Sequence, residues 1–258
     1  MRYSLCIDAL YPEEGLKEKI TQIKNSKFKF IEFWDWRNKD LDLIVHSGLK
    51  VSNFSGNRVT SLVLDEEDKV LQEFYSSLEV AKKLNCPHIM LLSDVLKSDG
   101  NVELNTISKE EKRLRLLKNL REIIKIAEKE RILILLEPLN TLKDHNNYFL
   151  DSFSSALNIV REVNSEYLKI LYDIYHMQIM EGNIVETIRK YYPFIGYVHL
   201  ANVPYRGEPW VGELDLKFIL KELHKVYSGF VGFEFFVREK DFSYEKLLRW
   251  IQSINFTE

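Results

Sequence analysis

Four side chains able to bind a metal ion stand at the ends of short apolar runs. Ile132-Leu133-Ile134-Leu135-Leu136 runs into Glu137, Ile170-Leu171-Tyr172 into Asp173, Tyr197-Val198 into His199 and Gly232-Phe233 into Glu234. Three carboxylates converging in an apolar-walled cavity would repel one another strongly. One divalent metal ion removes that penalty. An oxygen-rich donor set with a single imidazole suits Mn²⁺, Mg²⁺ or Co²⁺ better than a structural zinc. Taken singly, three of them have a plainer explanation: Glu137 as a helix cap or surface acid, Asp173 as the cap of the next turn, His199 as a satisfied core histidine. Glu234 resists one, because a carboxylate set between Phe233 and Phe235 on a buried strand needs a partner. Together, at one end of successive strands, the four are expected to hold a metal.

They can converge only if the apolar runs are neighbouring parallel strands. Such runs fall at 3–7, 30–34, 50–54, 88–92, 132–136, 168–172, 196–200 and 230–236. Most are nearly continuous rather than alternating, as expected of parallel strands covered on both faces. Amphipathic stretches at 65–84, 109–130, 153–163, 184–192, 214–227 and 244–254 lie between or after them. In 109–130, Leu117, Leu120, Ile124 and Ala127 line one face, while Lys118, Glu122, Lys125 and Lys129 populate the other. With no linker or low-complexity segment, this pattern predicts an α/β fold of the (β/α)8 TIM barrel type, one domain over residues 1–258. An open doubly wound sheet is the structural alternative, but no glycine-rich phosphate loop follows an early strand. In a barrel, chemistry sits at the carboxyl ends of the strands. The four residues stand there.

Composition narrows the partners. Of 258 residues, 45% are hydrophobic and 29% charged, as in an ordinary soluble globular chain. Thirty-six basic residues against 39 acidic ones leave a net charge of −3, which gives no field to attract nucleic acid or an anionic membrane. Met1-Arg2-Tyr3 leads straight into Leu5-Cys6-Ile7, and no run of 18 apolar residues occurs, so a cytoplasmic protein without leader or membrane span is expected. Cys6 and Cys86 lie far apart, outside metal-type spacing, and are expected to be reduced packing residues.

The segment Leu136-Glu137-Pro138-Leu139-Asn140-Thr141 is followed by Tyr172-Asp173-Ile174-Tyr175-His176-Met177-Gln178 and Glu181-Gly182-Asn183. Then come Ile195-Gly196-Tyr197-Val198-His199-Leu200-Ala201-Asn202-Val203-Pro204, Arg206, Glu208-Pro209, Gly212-Glu213-Leu214 and Gly232-Phe233-Glu234. This wording resembles the hydroxypyruvate isomerase family, one branch of the xylose-isomerase-like barrels that also include ketose 3-epimerases and endonuclease IV. The likeness is dense over residues 130–237 and general before them.

The resemblance implies a metal held by Glu137, Asp173, His199 and Glu234, with Glu137 and Glu234 facing the substrate from opposite sides as the acid/base pair. It places His176 and Arg206 against the substrate, Arg206 being suited to a bidentate contact with a carboxylate. The implied reaction moves a proton between adjacent carbons of a hydroxypyruvate-like compound through an enediolate. A metal bridging the carbonyl and hydroxyl oxygens would stabilise the developing charge. Which glutamate removes the proton is left open.

Position 199 departs from the pattern, since the isomerases usually carry Gln there and the ketose 3-epimerases His. Tyr205 and Trp210 are also bulkier than the isomerase loop, and Phe33-Trp34-Asp35-Trp36 and the short connection over residues 54–64 differ as well. A ketose 3-epimerase is therefore the second reading. A nuclease would need more histidines at strand ends, whereas His46 and His224 fall in helical patterns and His88 starts a strand. A metabolite-binding barrel without turnover would leave buried carboxylates unused. The expected partner is a small sugar or hydroxy-keto acid, with a homo-oligomer compatible with the exposed-looking Trp34, Trp36 and Trp210.

Overall fold

Short runs of aliphatic and aromatic residues form eight strands: β1 (Arg2–Cys6), β2 (Phe30–Phe33), β3 (Lys50–Phe54), β4 (His88–Leu91), β5 (Leu133–Leu136), β6 (Leu168–Asp173), β7 (Ile195–Leu200) and β8 (Phe230–Phe233). The computed structural model describes residues 1–256. All the pairings are parallel, in the order β3-β2-β1-β8-β7-β6-β5-β4. The two ends of that order meet at the carboxyl side, where Ser55 bridges Met90 and the Gly56 N–H donates to the Met90 carbonyl at 2.7 Å. A Cβ on Gly56 would run into the Ile89 side chain, so the glycine permits the approach that closes the (β/α)8 barrel. Register then sets the height of the site: Asp173 lies opposite His199, and His199 opposite Gly232.

Helices α1 (Leu16–Asn25), α2 (Leu41–Ser47), α3 (Glu67–Leu84), α4 (Lys109–Glu130), α5 (Phe153–Val163), α6 (Ile174–Met180), α7 (Ile184–Tyr191), α8 (Leu216–Val226) and α9 (Tyr244–Gln252) cover the outside. Helix α4 shows why they form. Ser108 caps its start by accepting from the Glu111 N–H, and Leu116, Leu117, Leu120, Ile123, Ile124 and Ala127 are buried on one face. It stops at Arg131, whose φ of 57° lies in the left-handed region. Among the described residues, no helix is long and apolar enough to cross a membrane.

Three helices add to the sequence reading. The α1 stretch carries only Ile20 and Ile23 as buried apolar anchors, α2 is too short to show periodicity, and α6 starts at the residue after the strand, leaving no loop to mark it. Strand β8 ends at Phe233, so Glu234 begins the following segment rather than lying inside a longer strand.

The barrel interior is not wholly apolar. Near its base, Tyr197 and Phe230 stack at 5.7 Å, with the His88 ring edge-on to both. Above them runs a hydrogen-bonded column. Ser4 Oγ meets Ser52 Oγ at 2.7 Å, Ser52 Oγ meets the Tyr197 hydroxyl at 2.8 Å, and that hydroxyl donates to Glu32 Oε2. Gly232 faces this carboxylate, and a Cβ there would overlap it. Both cysteines are free and buried.

Candidate active site

The structure brings Glu137, Asp173, His199 and Glu234 to one place at the carboxyl ends of β5, β6, β7 and β8. One ligand atom from each lies within 4.8 Å of the others. All four residues are at most 3% exposed. Asp173 divides its oxygens: Oδ1 accepts the Tyr175 and His176 N–H groups at 2.7 and 3.3 Å, while buried Oδ2 has no hydrogen-bond partner. The expected cap and the expected ligand are thus the same side chain. His199 Nδ1 lies 3.5 Å from Glu137 Oε1 and 3.3 Å from Glu234 Oε2, and neither ring nitrogen makes a well-aligned hydrogen bond.

These orphaned buried atoms fit a cation. Burial pushes Asp173 up to about 7 even with the Arg206 guanidinium nearby. Burial likewise raises Glu137, against the pull of His199. Glu234 goes the other way: burial alone would raise it, but Arg206, His199 and the Trp34 indole N–H together hold it well below the carboxylate range. Burial alone would push the His199 imidazolium down, but Glu234, Glu32 and Glu137 hold it well above the ordinary range. An ion among three carboxylates would replace that borrowed proton.

Three residues to which the sequence assigned no role complete the site. Glu32, the last-but-one residue of β2, places Oε1 3.2 Å from His199 Nε2 on the side away from the cluster. A carboxylate at that distance, though not aligned for a hydrogen bond, would favour the proton on Nε2 and leave Nδ1 with a lone pair for an ion. Asn140 supplies its backbone N–H and its Nδ2 to His176 Nδ1, at 3.2 and 2.7 Å. His145 packs its ring against that of His176, centroids 5.2 Å apart. Glu32 was detectable by the reasoning that singled out Glu234, since Phe30-Ile31-Glu32-Phe33 also buries a lone carboxylate among apolar neighbours. Asn140 and His145 lie on a loop with no periodicity to mark them.

A pocket of about 430 Å³ opens over the cluster, walled by Trp34, Leu139, Tyr175, Tyr205 and Phe236 among others. Trp34 walls this pocket and donates its indole N–H to Glu234 Oε1. Trp36 instead bonds Ser77 Oγ at 3.0 Å, and Trp210 stacks on Phe242 and bonds Glu239 at 2.7 Å. His176 and Arg206 both line the pocket. Arg206 is no loose surface arginine: its Nη2 lies 2.5 Å from Glu234 Oε2 and 3.7 Å from Asp173 Oδ2, and its side chain is 11% exposed.

Comparison with known proteins agrees with this architecture. The family model described as xylose isomerase-like TIM barrel matches residues 21–254. A human protein provisionally named hydroxypyruvate isomerase is 30% identical over 250 residues, covering 91% of this chain and 89% of its own. Escherichia coli (strain K12) hydroxypyruvate isomerase is 35% identical over 161 residues, covering 59% of this chain and 61% of its own. The crystal structure of an AP endonuclease, family 2, from Brucella melitensis matches in fold with a TM-score of 0.86 at 23% identity, covering 98% of this chain and 99% of that one. The chain belongs to the xylose isomerase-like TIM barrel family, in its hydroxypyruvate isomerase branch.

Proposed function

We propose that this chain is a metal-dependent isomerase that interconverts a small hydroxy-carbonyl compound, hydroxypyruvate and tartronate semialdehyde or a related 2-oxo acid, by proton transfer between adjacent carbons. The observation that carries this reading is the pairing of Glu137 and Glu234 across one buried cluster whose ligand atoms lie within 4.8 Å. Glu137, Asp173, His199 and Glu234 would hold the ion, which supplies Lewis-acid polarisation of substrate oxygens worth several kcal/mol.

The remaining work falls to the chain's own groups. Glu137 and Glu234 serve as the acid/base pair, one taking a proton from the hydroxyl-bearing carbon while a proton is returned to the former carbonyl carbon, and the hydroxyl proton passes to the former carbonyl oxygen. Their surroundings differ: Glu137 Oε1 lies 3.5 Å from His199 Nδ1, whereas Glu234 also accepts from Arg206 and from the Trp34 indole N–H. Arg206, which lines the pocket, would take a substrate carboxylate, and His176, which also lines it, would contact a substrate oxygen. Trp34, Tyr175 and Phe236 exclude water from the reacting carbons.

Glu137→Gln and Glu234→Gln are each expected to lower kcat by about 10²–10⁴-fold, measured by following the carbonyl product from hydroxypyruvate or a four-carbon 2-oxo acid. Near-normal turnover in either variant would remove that residue from the acid/base pair. His199 as the imidazole donor favours the second reading, a ketose 3-epimerase acting through the same two glutamates. Tagatose and allulose in the same assay separate the two, and turnover of the ketohexoses alone would replace the isomerase reading.

A further inference from the structure

Four basic side chains line the pocket: Arg58, Lys97, Lys143 and Arg206. Three of them are accounted for. Arg206 is engaged with Glu234 and Asp173. Lys143 Nζ donates to the Pro204 carbonyl. Lys97 stands exposed to solvent on a turn beside Asp99. Arg58 is different: it is half-buried, and among the described residues its guanidinium makes no hydrogen bond, ion pair or ring contact.

The backbone that carries Arg58 is fixed from two sides. Before it, the Gly56 N–H donates to the Met90 carbonyl at 2.7 Å. The Asn57 amide bonds both backbone groups of Leu92, Oδ1 accepting its N–H and Nδ2 donating to its carbonyl, each at 2.9 Å. Met90 and Leu92 are themselves pocket wall, so Arg58 is set against the β4 side of the cavity. From the other side the Glu73 carboxylate, 6% exposed, accepts the N–H groups of Arg58, Val59 and Thr60 at 2.8, 3.1 and 2.7 Å. That buried acid takes its ion pair from Arg37 and not from Arg58. The nearest acid is thus paired elsewhere, and an uncompensated guanidinium is left at the wall of a cavity, where an anion would complete it.

Strands β3 and β7 stand four apart in the ring of eight, so the loops that follow them, with Arg58 and Arg206, face each other across the mouth. A substrate whose reacting oxygens sit at the cluster and whose carboxylate meets Arg206 turns its other end towards Arg58. We propose that Arg58 binds a second anionic group there, a phosphate ester or a carboxylate, so that the pocket selects a hydroxy-carbonyl compound charged at both ends over hydroxypyruvate. The pocket volume of about 430 Å³, within the range of sites that enclose far larger ligands than a three-carbon acid, leaves room for that group. This rests on the isomerase reading for the orientation of the substrate, but its test does not need turnover.

The test is titration calorimetry with unreactive 2-hydroxy acids on the protein supplied with Mn²⁺. Glycerate carries one charged group. 3-Phosphoglycerate adds a terminal phosphate, and malate and 2-hydroxyglutarate add a terminal carboxylate on chains of two lengths. The wild type is expected to bind at least one of the three about tenfold more tightly than glycerate, the effect of one hydrogen-bonded charge pair, and the acid that shows it identifies the anion. Arg58→Gln and Arg58→Met, which keep the stem without the charge, should each remove that preference and leave glycerate binding unchanged. Arg58→Lys should keep part of it. Capture of Mn²⁺ by the acids in solution is common to every variant and cancels in the comparison. Equal affinities in the wild type, no measurable binding of any of the acids, or a preference undiminished in the neutral variants would each overturn the proposal. A preference that depends on Arg58 in a protein that turns over none of the 2-oxo acids would sink the isomerase reading and leave this one standing. Turnover of hydroxypyruvate with no such preference would do the reverse.

Discussion

Replacing Glu32 by Gln isolates what the carboxylate behind His199 does. The substitution keeps the volume and an oxygen able to accept from the Tyr197 hydroxyl, so the barrel should still fold. The partner of His199 Nε2, now 3.2 Å from a carboxylate oxygen, becomes a neutral amide. If the amide nitrogen faces the ring, Nε2 must accept, the proton moves to Nδ1, and the lone pair aimed at Glu137 and Glu234 is lost. If the amide oxygen faces the ring, the tautomer survives but the imidazole loses the basicity lent by a charged neighbour. Changes of this kind typically weaken metal binding 10–100-fold, about 1.4–2.7 kcal/mol. The assay is thermal melting with and without excess Mn²⁺. An ion that binds only the folded state stabilises by RT ln(1 + [L]/Kd), so the same 1.4–2.7 kcal/mol is subtracted from the ion-linked gain. For a chain of this size that is a loss of roughly 3–11 °C of the Mn²⁺-induced rise, with the melting point without ion little changed. An ion-induced rise in the variant equal to that of the wild type would refute the reasoning, because Glu32 would then do nothing for His199.

Gly232→Ala should reproduce that loss from the other strand, since the added Cβ overlaps the Glu32 carboxylate and must push it off the imidazole. Metal titration of this variant matching the wild type would show that the carboxylate has room to spare. His88 should set part of the acid limit of stability. Burial lowers its pKa to about 4, and the Ser52 carbonyl bond at 2.6 Å offsets only part of this. The unfolded chain, titrating near 6.5, binds the extra proton first, so His88 costs stability as pH falls from about 6.5 to 4, up to about 3 kcal/mol. His88→Phe should therefore be less stable than the wild type by about 1 kcal/mol at neutral pH, from the orphaned carbonyl, and more stable near pH 4. Urea unfolding at both pH values checks the crossover, and parallel pH profiles would exclude it.

The site was legible in the sequence where chemistry coincides with a strand end. Glu137, Asp173, His199 and Glu234 each interrupt an apolar run at the position where a barrel must turn outward, and the register of β6, β7 and β8 then fixes their height. Glu32 escaped although, like His199, it is the last-but-one residue of its strand and its burial at 2% exposure makes it as costly to leave unpartnered as Glu234: it lies on an early strand away from the consecutive four. Asn140 and His145 depend on loop hydrogen bonds that no spacing foretells. Helix α6 was hidden for a related reason: Asp173 is at once the last residue of β6 and the cap of α6, so no turn residue separates the two. The aromatic residues of the early segment could be sorted only by contact. Trp34 turns to Glu234, whereas Trp36 turns to Ser77.

The line of hydroxyls from Ser4 through Ser52 and Tyr197 to Glu32 ties the foot of the barrel to its mouth. Interiors of this kind are usually open to exchange among aliphatic side chains of similar bulk. Here an interior methyl in place of a hydroxyl would unseat an acceptor, free the Tyr197 hydroxyl to swing, and be felt two contacts away as a misaimed imidazole. The middle of this molecule is a wire as much as a filling, and anyone redesigning it for stability would be re-aiming the imidazole of the candidate metal cluster at the same time.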